Sequence, residues 1–262
     1  MDLQLSNKVI IVSGGAKGIG AGIVKLLASE SAIPVIVGRS EADNLKLLQE
    51  VEAAGGKAWQ YTAELSNPET SQETINAVLN KFNRIDGLVN NAGMNDGVGL
   101  EHGDYDGFMK SLHRNLVHYY LLAHHALPSL IKSKGSIVNI TSKTAETGQG
   151  NTSAYAASNG GRNALTREWA VELLKYNIRV NAVVVAECMT PQYEKWIKTL
   201  SEPEKKLKEI TSHIPLQQRM TTTEEIANMV AFLLSSVSSH TTGQIIYVDG
   251  GYVHLDRALA NA

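Results

Sequence analysis

A single cysteine, Cys188, stands in 262 residues. A lone thiol excludes an internal disulfide and suits a reducing compartment. No apolar run approaches the roughly 20 residues needed to span a bilayer. The opening stretch Met1-Asp2-Leu3-Gln4-Leu5-Ser6-Asn7-Lys8 has no basic region leading into an apolar one, so no signal peptide is expected. An excess of one charge is missing too: 24 Lys plus Arg face 26 Asp plus Glu, a formal net charge of −2, and no Lys/Arg run stands out. Nucleic acid and anionic membrane are therefore not expected as partners. Repeats, low-complexity tracts and Pro/Ser linkers are also lacking. The expectation is one soluble, cytoplasmic domain over residues 1–262, long enough to bury an ample core.

What is present is a regular alternation. Short runs rich in Val and Ile recur at 9–13, 33–38, 58–63, 87–90, 136–141, 179–185 and 244–248. Most show little polar alternation, as expected of parallel strands covered on both faces. Between them lie helix-like stretches at 18–30, 42–54, 69–83, 105–131, 153–175, 193–212 and 223–235. Thr223-Glu224-Glu225 reads as a helix start with acidic residues in its first turn, and Pro68 and Pro191 suit helix openings. This order predicts a doubly wound α/β fold of about seven parallel strands with helices on both faces.

The first strand runs directly into Ser13-Gly14-Gly15-Ala16-Lys17-Gly18-Ile19-Gly20, and a helix pattern follows. Glycines let the backbone turn tightly and approach a diphosphate, whose charge the helix N-terminus then favours. Glycines also make ordinary strand–helix turns, but this placement points to a Rossmann-type dinucleotide site, although the spacing of Gly14, Gly18 and Gly20 differs from G-x-G-x-x-G. An NAD-specific site would carry a carboxylate at the end of the second strand for the adenosine ribose. Gly38 stands there instead, followed by Arg39, while Lys17 lies in the loop. A guanidinium can grip a 2′-phosphate bidentately. NADP is thus favoured, with NAD as the alternative if both cations are only solvated surface charges.

Three further motifs complete a pattern: Asn90-Asn91-Ala92-Gly93 after the fourth strand, Thr141-Ser142 closing the fifth, and Tyr155-Ala156-Ala157-Ser158-Asn159 opening the next helix. With Asn115 in the preceding helix, and Ser142 thirteen residues before Tyr155, the whole chain resembles the short-chain dehydrogenase/reductase family. That resemblance implies that Tyr155 exchanges the proton of the reacting hydroxyl and that Ser142 orients its oxygen. Asn115 would anchor a water leading to solvent, and Thr190 would hold the nicotinamide carboxamide. Glu64 would lie at the adenine edge beside Leu65, while Asn91, Ala92 and Gly93 line the cofactor. Such a base is needed because hydride leaves a carbinol carbon only as the hydroxyl proton is accepted.

One position departs from the family. Its pattern is Y-x-x-x-K, and the fourth residue after Tyr155 is Asn159. Positions i and i+4 share a helix face, so residue 159 lies beside Tyr155. A nearby cation favours the anion of a phenol, whose ordinary pKa is near ~10. A neutral amide keeps part of the lysine's hydrogen bonding and none of its charge. Catalysis weakened by about 10²- to 10⁴-fold is expected, with Asn159→Lys raising turnover and lowering the pH optimum. Lys143 is a candidate substitute cation, whereas Arg162, about two turns beyond Tyr155, is expected to be too far for direct contact.

Segments 144–153, 164–171, 186–191 and 250–259 further resemble bacterial L-fucose dehydrogenases, which oxidise the anomeric hydroxyl of L-fucose and related aldoses to a lactone using NAD(P). The chain departs from them at Val185-Ala186, where proline is usual. A sugar site needs convergent polar side chains, since an analogue lacking a hydroxyl is rejected by leaving buried groups unpaired. Lys143, Gln149, Asn151, Glu187, His254 and Asp256 are the candidates, each alternatively a solvated loop or tail residue. His113, His118, His124 and His125 have no i,i+4 spacing, and no metal site is expected. Cys188 reads as a small buried filler. The alternatives are a 3-oxoacyl carrier-protein reductase or other carbonyl reductase, and a catalytically silent dinucleotide-binding protein. The resemblance also implies a homotetramer.

Overall fold

The computed structural model describes residues 2–256. Seven strands, β1 (Val9–Ser13), β2 (Ile33–Gly38), β3 (Trp59–Thr62), β4 (Gly87–Asn90), β5 (Ser136–Ser142), β6 (Arg179–Val185) and β7 (Ile245–Val248), form one sheet ordered β3-β2-β1-β4-β5-β6-β7. Every pairing is parallel. The helices are α1 (Gly18–Ser29), α2 (Glu41–Ala53), α3 (Pro68–Phe82), α4 (Tyr105–Leu112), α5 (His118–Ser133), α6 (Ser153–Glu172), α7 (Pro191–Ile197), α8 (Pro203–Ser212) and α9 (Thr223–Leu234).

The apolar runs are continuous because each strand feeds two cores. In β1, Ile10 and Val12 join Ile23, Leu27, Val230 and Leu233 on one face, while Val9 and Ile11 join Val78, Tyr119, Leu122 and Trp169 on the other. A residue that points toward either layer must be apolar, so the period-2 signal disappears. Strand order reverses between β1's two neighbours, β2 and β4, and the crevice beyond the carboxyl ends of β1 and β4 is where such sheets bind ligands.

Two helix assignments are corrected. The stretch read as one helix over 105–131 is α4 and α5 joined by a π turn, His113–Val117. Within it the Asn115 amide donates to the Ser111 carbonyl (3.1 Å) and hydroxyl (3.2 Å), an intrusion of the kind that widens a helical turn. The stretch 193–212 is α7 and α8, because Pro203 lacks an N–H and so starts a helix rather than continuing one. Pro191 and Pro68 do open α7 and α3. The start read at Thr223 is a full capping box, with Thr222 and Glu225 bonding each other's backbone N–H. No helix among the described residues is long and apolar enough to cross a membrane.

Candidate active site

The glycine loop leaves β1 at Ser13, and its shape depends on missing side chains. Gly14 adopts φ +63°, and a Cβ there would lie 2.9 Å from the Ala92 Cα. At Gly20 a Cβ would meet the Gly14 carbonyl at 2.1 Å, and at Gly18, φ +54°, it would press on Thr190 at 3.2 Å. Ser13 and Asn91 fasten this loop to the strand-four loop. The Asn91 and Ala92 amides donate to the Ser13 hydroxyl (2.9 and 3.1 Å), and the Asn91 side chain donates to the Ser13 and Gly14 carbonyls (2.9 and 3.1 Å). Lys17 is the N-cap of α1 without a capping side chain, and Ile19 packs against the core beneath. Open amides at a helix start, in a cradle that any Cβ would fill, suit a dinucleotide diphosphate. Gly20→Ala must displace the Gly14 carbonyl, so its dissociation constant for the dinucleotide, read by fluorescence titration, is expected to rise at least about tenfold, the equivalent of ~1.4 kcal/mol.

At the second strand's end the structure supplies a reason for Gly38 that the sequence hides. A Cβ there would lie 2.6 Å from the Asn44 Oδ1, and buried Asn44 donates to the Gly38 carbonyl at 3.0 Å. A side chain at 38 would therefore have to displace the Asn44 amide. Arg39 is exposed, 3.9 Å from Glu64, and Glu64 also accepts from the Ser66 hydroxyl (2.9 Å). Leu65 is buried behind it. Lys17 is less available than Arg39, for its ammonium lies 2.6 Å from Asp43, whose carboxyl that hydrogen bond holds below its usual range. Thr190 abuts Gly18 and caps α7, accepting from the Tyr193 amide at 3.2 Å.

Ser142 closes β5, and α6, carrying Tyr155 in its first turn, packs against the turn that follows at 143–145. Asn115 is fully buried, and its Oδ1 accepts from the Met94 amide at 2.8 Å. Asn159 donates to the Tyr155 carbonyl (2.8 Å) and accepts from Arg162 Nη1 (2.9 Å). Arg162 is thus not remote from the site. A helical side chain leans toward the helix N-terminus, and this guanidinium runs back to reach the Asn115 carbonyl (2.6 Å), the Ile140 carbonyl (3.2 Å) and the face of the Tyr119 ring (4.2 Å).

Of the six candidate substrate residues, two meet. The register sets Ser142 beside Val185, so the residues just beyond each strand end become neighbours. Lys143 and Glu187 form an ion pair there, with side chains only 11% and 10% exposed. Sequence reasoning missed their companions: Tyr193 bonds Glu187, and the Tyr252 ring lies 4.2 Å from the Lys143 ammonium. Burial first, then the Glu187 charge, pushes the Tyr193 phenol up. Gln149 and Asn151 are exposed in the next loop, Asn151 at φ +53°. His254 meets the Tyr247 ring edge to face (4.3 Å), and Asp256 is exposed near the end of the described chain. Residues 257–259 of the segment 250–259 lie outside the described residues. No short signal finds Tyr193 or Tyr252, because they arrive from α7 and the turn after β7.

The remaining candidates are structural. His118 is buried, with Nε2 2.9 Å from the Arg114 carbonyl; burial first, then Arg162's charge, takes it down to about 3, so it is neutral. His124 lies between Tyr120 and His125 rings. Cys188 is buried, its thiol pushed up to about 12 by burial, and so is no nucleophile at neutral pH.

Known proteins are similar to this chain over nearly its whole length. A family model described as enoyl-(acyl carrier protein) reductase matches residues 14–253. The chain is 37% identical over 256 residues to the 3-oxoacyl-(acyl-carrier-protein) reductase FabG of Thermotoga maritima, covering 96% of this chain and 100% of that one. It is 32% identical over 252 residues to the L-fucose dehydrogenase of Bos taurus, covering 96% and 91%. The crystal structure of Cj0485 dehydrogenase superposes with a TM-score of 0.93 at 48% identity, covering 99% of each chain.

Proposed function

Because this chain belongs to the short-chain dehydrogenase/reductase family, with enzymes that act on CH–OH groups, we propose that it oxidises the anomeric hydroxyl of L-fucose or a related aldose to the lactone with NADP. The observation that carries the substrate class is the ion pair of Lys143 and Glu187 next to Ser142, flanked by Tyr193 and Tyr252. This wall offers charged and phenolic hydrogen-bonding groups held in place by one another. It suits a small polyhydroxylated substrate, and rejects one lacking a hydroxyl by leaving its groups unpaired. Gln149, Asn151, His254 and Asp256 would complete the rim.

In this reading Ser142 Oγ bonds the reacting hydroxyl and Tyr155 accepts its proton. The nicotinamide supplies the hydride acceptor when bound. The glycine cradle and Asn91 hold the diphosphate, Thr190 the carboxamide, and Glu64 with Leu65 the adenine. Arg39 selects the 2′-phosphate, since Lys17 is engaged by Asp43 and a side chain at 38 would have to displace the Asn44 amide. Arg39→Ala is expected to raise KM for NADP at least about tenfold, a loss of ~1.4 kcal/mol, with KM for NAD nearly unchanged. Equal loss with both cofactors would remove the assignment. The protein acts as a cytoplasmic homotetramer of one-domain subunits, a reading that suits the exposed Tyr105, Phe108 and Tyr120 on α4 and α5.

A second reading, 3-oxoacyl carrier-protein reductase, is favoured by the Thermotoga maritima relative. NADPH absorbance separates the two: L-fucose and D-arabinose with NADP against an acetoacetyl thioester with NADPH. Turnover of the sugars supports the proposal, and turnover of the thioester alone overturns it. Tight dinucleotide binding without turnover of either class marks a silent dinucleotide-binding protein.

A further inference from the structure

Arg162 is the most unusual charge in the fold. It is 3% exposed, permanently cationic, and among the described residues no carboxylate pairs with it. Two backbone carbonyls, one amide oxygen and an aromatic face compensate it instead. Burying a cation without a counter-ion is costly for folding, so such a group at a ligand crevice points to function. Its Nη2 is buried with no hydrogen-bond partner. A Cβ on Gly93 would lie 2.8 Å from that nitrogen and 2.9 Å from the Asn115 Oδ1. Gly93 thus leaves room for the guanidinium beneath the loop that follows β4.

We propose that Arg162 takes over the cationic part of the missing lysine as a positioning residue, acting through Asn159 and the loop that follows β4. Arg162 Nη1 holds Asn159 Oδ1, the Asn159 amide nitrogen donates to the Tyr155 carbonyl, and Nη2 lies beneath Gly93, so one guanidinium braces both the start of α6 and the loop that follows β4. This inference rests on the dinucleotide reading of the site. It also changes the expectation for Asn159→Lys alone, which would set a second cation beside the guanidinium that Asn159 now bonds and lower both turnover and melting temperature.

The test compares the native protein with R162Q, R162K, N159K and N159K/R162Q. NADPH binding is followed by fluorescence, and adenosine 2′,5′-bisphosphate, which has no nicotinamide ribose, by calorimetry. R162Q is expected to weaken NADPH about three- to tenfold, leave the bisphosphate fragment unchanged and lower kcat more than tenfold, and R162K to recover part of each. N159K/R162Q, which returns a single cation to position 159, is expected to exceed both single variants in turnover. Equal weakening of fragment and NADPH in R162Q, or a double variant no better than N159K, overturns the inference, and the double variant decides it even if R162Q does not fold. Native protein that binds neither ligand defeats the dinucleotide reading itself, a separate outcome.

Discussion

Tyr155→Phe is expected to lower kcat by about 10²- to 10⁴-fold, the range typical of a lost proton-transfer group, while the dissociation constant for NADP stays within about twofold. The substitution removes one hydroxyl and keeps the ring that fills the first turn of α6, so folding and the glycine cradle are unaffected. No neighbour can replace it. Tyr119 is another phenol near Tyr155, but it is fully buried, its hydroxyl donates to the Ile140 carbonyl (3.1 Å), and burial pushes it further up. Ser142 supplies a hydroxyl for orientation and is a far weaker proton acceptor than a phenolate. A variant keeping more than a tenth of native turnover would show that the proton leaves by another route.

The second large effect concerns stability. Lys143→Met is expected to destabilise the fold by about 3–5 kcal/mol, because it strands the Glu187 carboxylate in a site about nine-tenths buried. For a chain of this size that corresponds to a fall in Tm of roughly 6–20 °C. Tyr193 still donates to Glu187 and softens the loss. Lys143→Met/Glu187→Gln removes both charges while keeping an acceptor for Tyr193, and most of the stability is expected to return. Sugar turnover should not return with it. Thermal unfolding of both proteins measures the first part, and KM for L-fucose the second. If the double variant is as unstable as the single, the pair is not what holds this corner. If it oxidises L-fucose normally, the ion pair does not recognise the sugar.

Much of the fold was legible because parallel strands buried on both faces leave a coarse mark. Val9, Ile11 and Ile10, Val12 serve opposite layers, and no polar residue is tolerated at any of them. The two errors share a cause. Over 105–131 the apolar pattern persists through a π turn and over 193–212 through a break, so periodicity registers neither. The π turn is shaped by the Asn115 side chain on the turn before it, and the break ends at Pro203, a residue whose backbone chemistry outweighs the pattern around it.

The site divides in the same way. Glycine positions, the Ser142–Tyr155 spacing and the Asn159 substitution are properties of short contiguous stretches, and the chain alone determined them, along with the order of strands and helices. Partnerships between remote segments were decided only in three dimensions. Lys143 meets Glu187 44 residues away because β5 and β6 end in register. Asn44 explains Gly38 by occupying the space of its side chain. Arg162 finds Asn115, 47 residues earlier, and the floor under Gly93. The physical reason is that a charge takes its role from its surroundings. A guanidinium spaced two turns along a helix looks remote, and becomes central only when three other segments close around it and exclude water.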